Sequence, residues 1–84
     1  MGVYFITFRS VTTAQRGEGV LRRSGIRCQL QRTPGWMEEQ GCGYCLRLQG
    51  AEVDRALRQL QEKGIQYRKV YQQEPDGRAR EVTG

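Results

Sequence analysis

The segment GAEVDRALRQLQEK, residues 50–63, has the clearest periodicity in this sequence and sets the frame of the predicted fold. Its apolar side chains recur at helical spacing, at Val53, Ala56, Leu57 and Leu60. Acidic residues stand near its start, and Lys63 and Gly64 stand at its end, as is typical of the two ends of a helix. The segment therefore predicts an amphipathic helix that buries one face.

Runs of apolar, β-branched and aromatic residues on both sides of this helix predict strands. We place these strands at residues 3–8, 26–31, 44–48 and 65–72. A second helix is predicted between the first two strands, because Ser10, Thr12 and Thr13 offer oxygens for an N-cap and Gly25 suits the C-cap. The order of elements is therefore β-α-β-β-α-β.

This order predicts an α+β fold, a ferredoxin-like sandwich in which a four-stranded antiparallel sheet carries both helices on one face. An open αβ-hairpin fold with another strand order is the alternative. The chain has 84 residues, enough for one small domain. We assign residues 1–72 to that domain and expect residues 73–84 to form a disordered tail, because they show no periodic apolar pattern.

The composition excludes several classes of site. The sequence has no histidine, which removes Ser-His-Asp triads, Cys-His pairs and His-ligated metals. Its three cysteines cannot complete a four-thiolate zinc site without a second chain or another type of ligand, and no metal is expected. No apolar run approaches the ~20 residues of a membrane span, and the N-terminus lacks the basic region of a signal peptide. We therefore expect a cytoplasmic protein without membrane contact, whose cysteines are thiols.

The chemically distinctive segment is GCGYC, residues 41–45, because thiols are the only nucleophiles here with useful basicity near neutral pH. In the predicted fold, the exit of the first strand, the N-terminus of the first helix and the loop before the third strand share one end of the sheet. Cys42 is therefore expected to face free backbone N–H groups that stabilise a thiolate. The candidate residues around it are Arg9, Ser10, Thr12, Thr13, Arg32 and Gly43. The alternative is that Cys42 is a small buried hydrophobe.

The remaining notable side chains each have a structural alternative. Cys45 forms a C-x-x-C spacing with Cys42, and is the candidate resolving thiol of a redox pair or part of a metal site shared by two chains. In an extended strand, however, residues at this spacing lie roughly 10 Å apart, beyond the ~7 Å that a disulfide spans. Cys28 alternates with Ile26 and Leu30, which favours core packing. Trp36 is either an anchor for a partner or part of a lid over the sheet edge.

Several short motifs follow one another along the chain: Phe8-x-Ser10, Ala14, Leu21-x-x-x-Gly25-Ile26, Thr33-Pro34, Cys42-Gly43 and Gly64-Ile65. Together they resemble the small selenium/sulfur carrier-like proteins. The similarity covers about residues 3 to 72, and its most specific element is the Cys-Gly pair after a Thr-Pro loop. Cys28 and Cys45 are additional thiols relative to that pattern, and Gly35 stands where a basic residue is expected.

The resemblance implies a carrier with one key cysteine, Cys42, and gives Ser10 a structural or anion-binding role. It implies no resident cofactor, only a transient persulfide or selenosulfide on Cys42. The implied donor is a cysteine desulfurase or a selenocysteine lyase, and the implied acceptor is a sulfurtransferase-like protein or selenophosphate synthetase. Such a protein is a co-substrate more than an enzyme.

Two other functions use the same element order. An RNA-recognition domain would stack bases on Tyr4 or Phe5 and on Tyr44, but the third strand lacks further aromatic residues, which disfavours nucleic acid. An interaction module would form a homodimer through the open face of the sheet, which is predicted to carry Val3 and Phe5. The basic residues that give the net charge of +5 are scattered along the chain, and this charge favours encounter with acidic partners.

Overall fold

The computed structural model of the protein describes residues 2–33, 43–73, 77 and 79–82. The helices of this part of the chain are α1 (Val11–Arg23) and α2 (Val53–Glu62), and a 3-10 turn at Gly50–Glu52 leads into α2. Its strands are β1 (Val3–Thr7), β2 (Gln29–Arg32), β3 (Tyr44–Gln49), β4 (Val70–Gln73) and β5 (Ala79–Glu81). Neither helix is long and apolar enough to span a bilayer.

The strands form a single antiparallel sheet in the order β2-β3-β1-β4-β5. β1 lies between β3 and β4, with Ile6 opposite both Leu46 and Val70. The α+β class, the two helices and the antiparallel sheet of the prediction are confirmed. The order of the first four strands is compatible with a ferredoxin-like sandwich.

The main core lies between the helices and one face of the sheet. Alternate residues of β1 and β3 point to this face, because side chains of a strand alternate between its two faces. α1 contributes Ala14 and Leu21 to the core, and α2 contributes Ala56 and Leu60. Gly17 of α1 allows a close approach: a methyl group there would lie 3.2 Å from Cζ of Phe8 and 3.4 Å from Cδ2 of Leu60.

The opposite face of the sheet holds a smaller apolar cluster. Phe5 and Cys45 are its buried members, with exposed fractions of 4% and 0%. Val3 and Tyr71 pack against them and are partly buried. The face that the helices leave open therefore carries Val3 and Phe5 as predicted, but it does not expose the Phe5 ring.

The prediction of a four-stranded sheet was wrong, because β5 adds a strand beyond β4. This strand lies inside residues 73–84, for which we expected a disordered tail. Tyr71 pairs with Glu81 and Gln73 with Ala79, and the amide of Val82 donates to the carbonyl of Val70 at 2.8 Å. β5 is thus held by hydrogen bonds to β4, the strand just before it in the chain, and its own sequence has no apolar alternation that would reveal it.

Two predicted strands begin later than expected, for the same reason. Ile26 does not open β2, because its amide donates to Leu21 at 2.9 Å and belongs to the end of α1. Ile65 does not open β4, because its amide donates to Leu60 at 2.8 Å and belongs to the end of α2. Both isoleucines are buried, so their apolar side chains reflect packing in the core and do not indicate a strand.

Candidate functional site

Ser10 caps the N-terminus of α1. It has an extended backbone, and its Oγ accepts a hydrogen bond from the amide of Thr13 at 3.1 Å. The same Oγ lies 2.8 Å from Oγ1 of Thr13. The predicted N-cap is therefore present, and the Ser10 hydroxyl is engaged within the first turn of the helix.

The other residues predicted beside this helix end are accessible. Arg9 and Thr12 are exposed, and Thr13 is half-buried. The first turn of α1 contains no acidic residue, so nothing on the helix itself opposes a negative charge at its positive end. Arg9, Ser10, Thr12 and Thr13 thus lie together on a polar helix terminus that can stabilise an anion.

The ends of β2 and β3 converge at the same end of the sheet. The amide of Thr33 donates to the carbonyl of Gly43 at 2.8 Å, and Arg32 pairs with Tyr44 in the ladder. The guanidinium of Arg32 lies 5.7 Å from the centre of the Tyr44 ring, within range of a cation–π contact. Gly43 has φ +85°, which an L side chain rarely adopts.

The register of β1 and β3 brings the residues at the start of α1 and the residues around Gly43 to the same end of the sheet. Thr7, the last residue of β1, lies opposite Cys45, near the first residue of β3. The chain leaves β1 toward Arg9 and Ser10 at the end where Gly43 enters β3. Cys42 and Trp36 lie outside the described residues. Cys42 immediately precedes Gly43 in the chain, so its chain neighbour is at the predicted end.

Cys45 is completely buried on the sheet face away from the helices. A thiol with no exposed surface cannot meet a partner's sulfur without opening the sheet, so burial argues against the resolving role we considered. Its position opposite Thr7 and Gln31 gives it a packing function between β1 and β2.

Cys28 is half-buried against the main core, as predicted. Burial raises the pKa of its thiol above the usual 9.0, and the nearby charge of Glu18 raises this pKa further. Arg22 acts in the opposite direction through its charge and a hydrogen bond. The thiol is therefore protonated at neutral pH, which is unfavourable for nucleophilic chemistry.

The contacts between Thr7 and Lys69 have no signal in the sequence. Oγ1 of the buried Thr7 accepts from the amide of Lys69 at 3.1 Å and donates to its carbonyl at 3.3 Å. The amide of Thr7 also donates to that carbonyl at 2.9 Å, and the amide of Arg68 donates to the carbonyl of Thr7 at 2.8 Å. These contacts fix the connector from α2 to β4 beside Arg9. A surface cavity of about 560 Å³ lies there, lined in part by Arg9, Arg68 and Lys69.

The aromatic residues considered for RNA stacking do not form an open platform. Tyr4 faces the main core, where it is partly buried. Phe5 is buried on the opposite face, and the Tyr44 ring has Arg32 above it. Within the described ranges, no group of three or more Cys, Asp or Glu side chains lies close enough to hold a metal.

A comparison with protein families gives a match over residues 3–72, which include α1, α2 and β1 to β3. The family is described as "Putative Se/S carrier protein-like". No curated protein and no solved structure matches the chain.

Proposed function

Because this chain belongs to the Se/S carrier protein-like family, we propose that it carries sulfur or selenium on Cys42 and passes it to an acceptor protein. The observation that carries this proposal is the family match over residues 3–72, which contains the Cys42-Gly43 pair. The geometry around Gly43 supports it, because the chain enters β3 at the end where α1 begins.

The properties of the other two thiols support the assignment to Cys42. Cys45 has no exposed surface, and the thiol of Cys28 has a raised pKa. Transfer of sulfur requires a thiolate that another protein can reach. Cys42 is the remaining cysteine of the sequence.

The proposed loading step is an exchange without net oxidation. The thiolate of Cys42 attacks the outer sulfur of a persulfide on the donor, which forms a new S–S bond and breaks the donor's S–S bond. The donor leaves as its cysteine thiolate, and Cys42 holds the persulfide. An acceptor thiolate then attacks the outer sulfur in the same way and releases the Cys42 thiolate. A selenosulfide follows the same course with selenium as the outer atom.

The proposed donors are a cysteine desulfurase for sulfur and a selenocysteine lyase for selenium. The proposed acceptors are a sulfurtransferase-like protein or selenophosphate synthetase. In this role the N-terminus of α1 stabilises the Cys42 thiolate between cycles, with Arg9 and Arg32 as additional cations.

Intact-mass measurement tests the proposal directly. The full chain is incubated with a cysteine desulfurase and cysteine, and we expect its mass to rise by one sulfur atom, reversibly on addition of a reductant. Cys42→Ser abolishes this increase, whereas Cys28→Ser and Cys45→Ala retain it. Selenocysteine lyase with selenocysteine tests whether selenium is loaded as well.

The cysteine variants also define the contrary results. Absence of any adduct on the wild-type chain, with a Cys42 thiol that alkylates only at alkaline pH, contradicts the proposal. Retention of the adduct by Cys42→Ser moves the carrier function to another cysteine. Because Cys45 is buried, its variant is compared by thermal unfolding before its loading is interpreted.

A further inference from the structure

We propose that a band of basic side chains along α1 and the α2–β4 connector docks an acidic segment of the protein partner. The basic band consists of Arg9, Arg16, Arg23, Lys63 and Arg68. This docking proposal deepens the proposed function, and it rests on that function for the identity of the partner. The binding event itself can be tested without sulfur.

The basic band follows two neighbouring surface cavities. The cavity of about 560 Å³ contains Arg9 and Arg68, and a second cavity of about 400 Å³ contains Arg16, Arg23 and Lys63. Ile65 lines both cavities, so they adjoin along the connector. The surface is therefore elongated and continuous, and it runs from the exit of β1 along the side of α1.

None of the five side chains of the basic band forms an ion pair with a described residue. The ion pairs of the described part of the chain engage other cations: Arg22 with Glu18, Arg55 with Glu52, and Lys69 with Glu81. No described Asp or Glu lines either cavity. Like charges gathered on one surface raise the local potential and attract an oppositely charged partner.

The distribution of the cations favours an extended segment over a single small anion. The guanidinium and ammonium groups belong to β1's exit, to α1 and to the connector, and they divide between two cavities. A phosphate-sized anion can contact one cavity only, whereas an extended peptide advances about 3.3 Å per residue and can place carboxylates along both.

The half-buried state of the aromatic ring in the described lining of these cavities favours a peptide over nucleic acid. Tyr67 is the aromatic residue among the described residues that line these cavities, and it is half-buried against the main core. Single-stranded nucleic acid gains much of its binding free energy by stacking bases on aromatic faces. The carboxylates of an acidic peptide bind to the basic side chains and need no aromatic face.

The position of the basic band relates it to the carrier site. Arg9 follows β1 at the end of the sheet where Gly43 enters β3. A partner that docks along the basic band therefore reaches the end of the sheet at Gly43, the chain neighbour of Cys42. Docking there brings donor or acceptor to the carrier cysteine without requiring a contact on the open face of the sheet.

Fluorescence anisotropy with a labelled hexaglutamate peptide tests this proposal on the full-length chain. One variant of each cavity is used, Arg9→Gln/Arg68→Gln and Arg16→Gln/Lys63→Gln. The control is Arg27→Gln/Arg58→Gln, which removes the same charge from exposed residues outside the band. We expect each band variant to weaken binding about fivefold and the control to change it by less than about twofold.

Besides a failure of the wild-type chain to bind the peptide, three results overturn the proposal. Equal weakening in the control means that only the net charge matters. Competition by inorganic phosphate, with sensitivity confined to Arg9→Gln/Arg68→Gln, means a small-anion site. Tighter binding of hexauridylate through the same residues means a nucleic-acid surface. Thermal unfolding of each variant confirms that the fold is retained.

The two proposals fail separately. Cys42→Ser is expected to bind hexaglutamate as the wild-type chain does, because the peptide assay needs no thiol. Normal sulfur loading together with absent peptide binding contradicts the docking proposal and leaves the carrier proposal standing. Normal peptide binding together with absent sulfur loading contradicts the carrier proposal and leaves the peptide-binding surface standing.

Discussion

Thr33 and Gly43 are held together by a hydrogen bond of 2.8 Å from the amide of Thr33 to the carbonyl of Gly43. This contact joins the chain just after β2 to the chain just before β3. Gly43 adopts φ +85° beside it. The residue next to Cys42, the proposed carrier cysteine, therefore has a backbone conformation that depends on glycine.

Gly43→Ala should lower the free energy of unfolding by about 1 kcal/mol, because a Cβ is strained at positive φ. Gly43→Asn should cost less, since asparagine tolerates the left-handed region better. Urea denaturation of the two variants measures the difference. Equal stability of Gly43→Ala and the wild-type chain would show that the turn relaxes to another conformation.

Ser10→Ala should cost about 1 kcal/mol, because the amide of Thr13 loses its hydrogen bond to Oγ. Ser10→Asp keeps a capping oxygen and should retain most of the stability. Its negative charge beside the helix terminus should nevertheless slow sulfur loading of Cys42. Chemical denaturation and the mass assay separate the two effects. Equal destabilisation by both substitutions would refute the capping role.

Cys28 should make the stability of the chain fall at alkaline pH. Its pKa is raised above 9.0, so the folded chain holds the proton more tightly than the unfolded chain. This contribution is complete below the unfolded pKa and is lost as pH rises through the raised folded pKa. The stability of the wild-type chain relative to Cys28→Ser should therefore decrease between about pH 7 and about pH 10. Urea denaturation at both values measures it, and a constant difference contradicts the prediction.

Gly17 and Gly19 should respond differently to alanine, although both lie within α1. Alanine gains about 1 kcal/mol of helix propensity at either position. A methyl group at Gly19 lies 3.3 Å from the guanidinium of Arg23, an exposed side chain that can move, so stability should rise by about 0.5–1 kcal/mol.

A methyl group at Gly17 meets the buried Phe8 ring and Leu60, so Gly17→Ala should gain less than Gly19→Ala. Gly17→Leu should destabilise by more than about 1 kcal/mol, because it overpacks this contact. Thermal and urea unfolding compare the variants. A rise in stability with Gly17→Leu would show that α1 can move away from the sheet.

The sequence was most informative where structure depends on nearby residues. Ser10 marks the start of α1 as predicted, whereas its C-cap is Ser24 and the predicted Gly25 follows one residue later with a positive φ. Both signals act within one turn of the helix. The apolar stripe of α2 was likewise recognisable from its spacing, and Val53, Ala56 and Leu60 are buried.

Features that depend on distant pairing could not be predicted in this way. The contacts of Thr7 with Lys69 require the register between β1 and β4, which lie far apart in the sequence. β5 instead pairs with its chain neighbour β4, and it was missed because Ala79-Arg80-Glu81 has no apolar alternation. The basic band likewise joins cations that are scattered in the sequence, and only the path of the connector beside α1 brings them together. Among the predicted site residues, Ser10 could be placed from its capping signal, whereas the burial of Cys45 depends on packing across three strands.

β5 also has a consequence for the solubility of the chain. It covers the outer edge of β4, so the part of the sheet that the structure describes ends in Ala79-Arg80-Glu81 on one side and in Gln29-Leu30-Gln31-Arg32 on the other. Charged and amide side chains on such margins discourage pairing with strands of other molecules. A chain shortened before residue 77 would instead end in Val70-Tyr71-Gln72-Gln73, whose backbone groups could recruit further copies into aggregates.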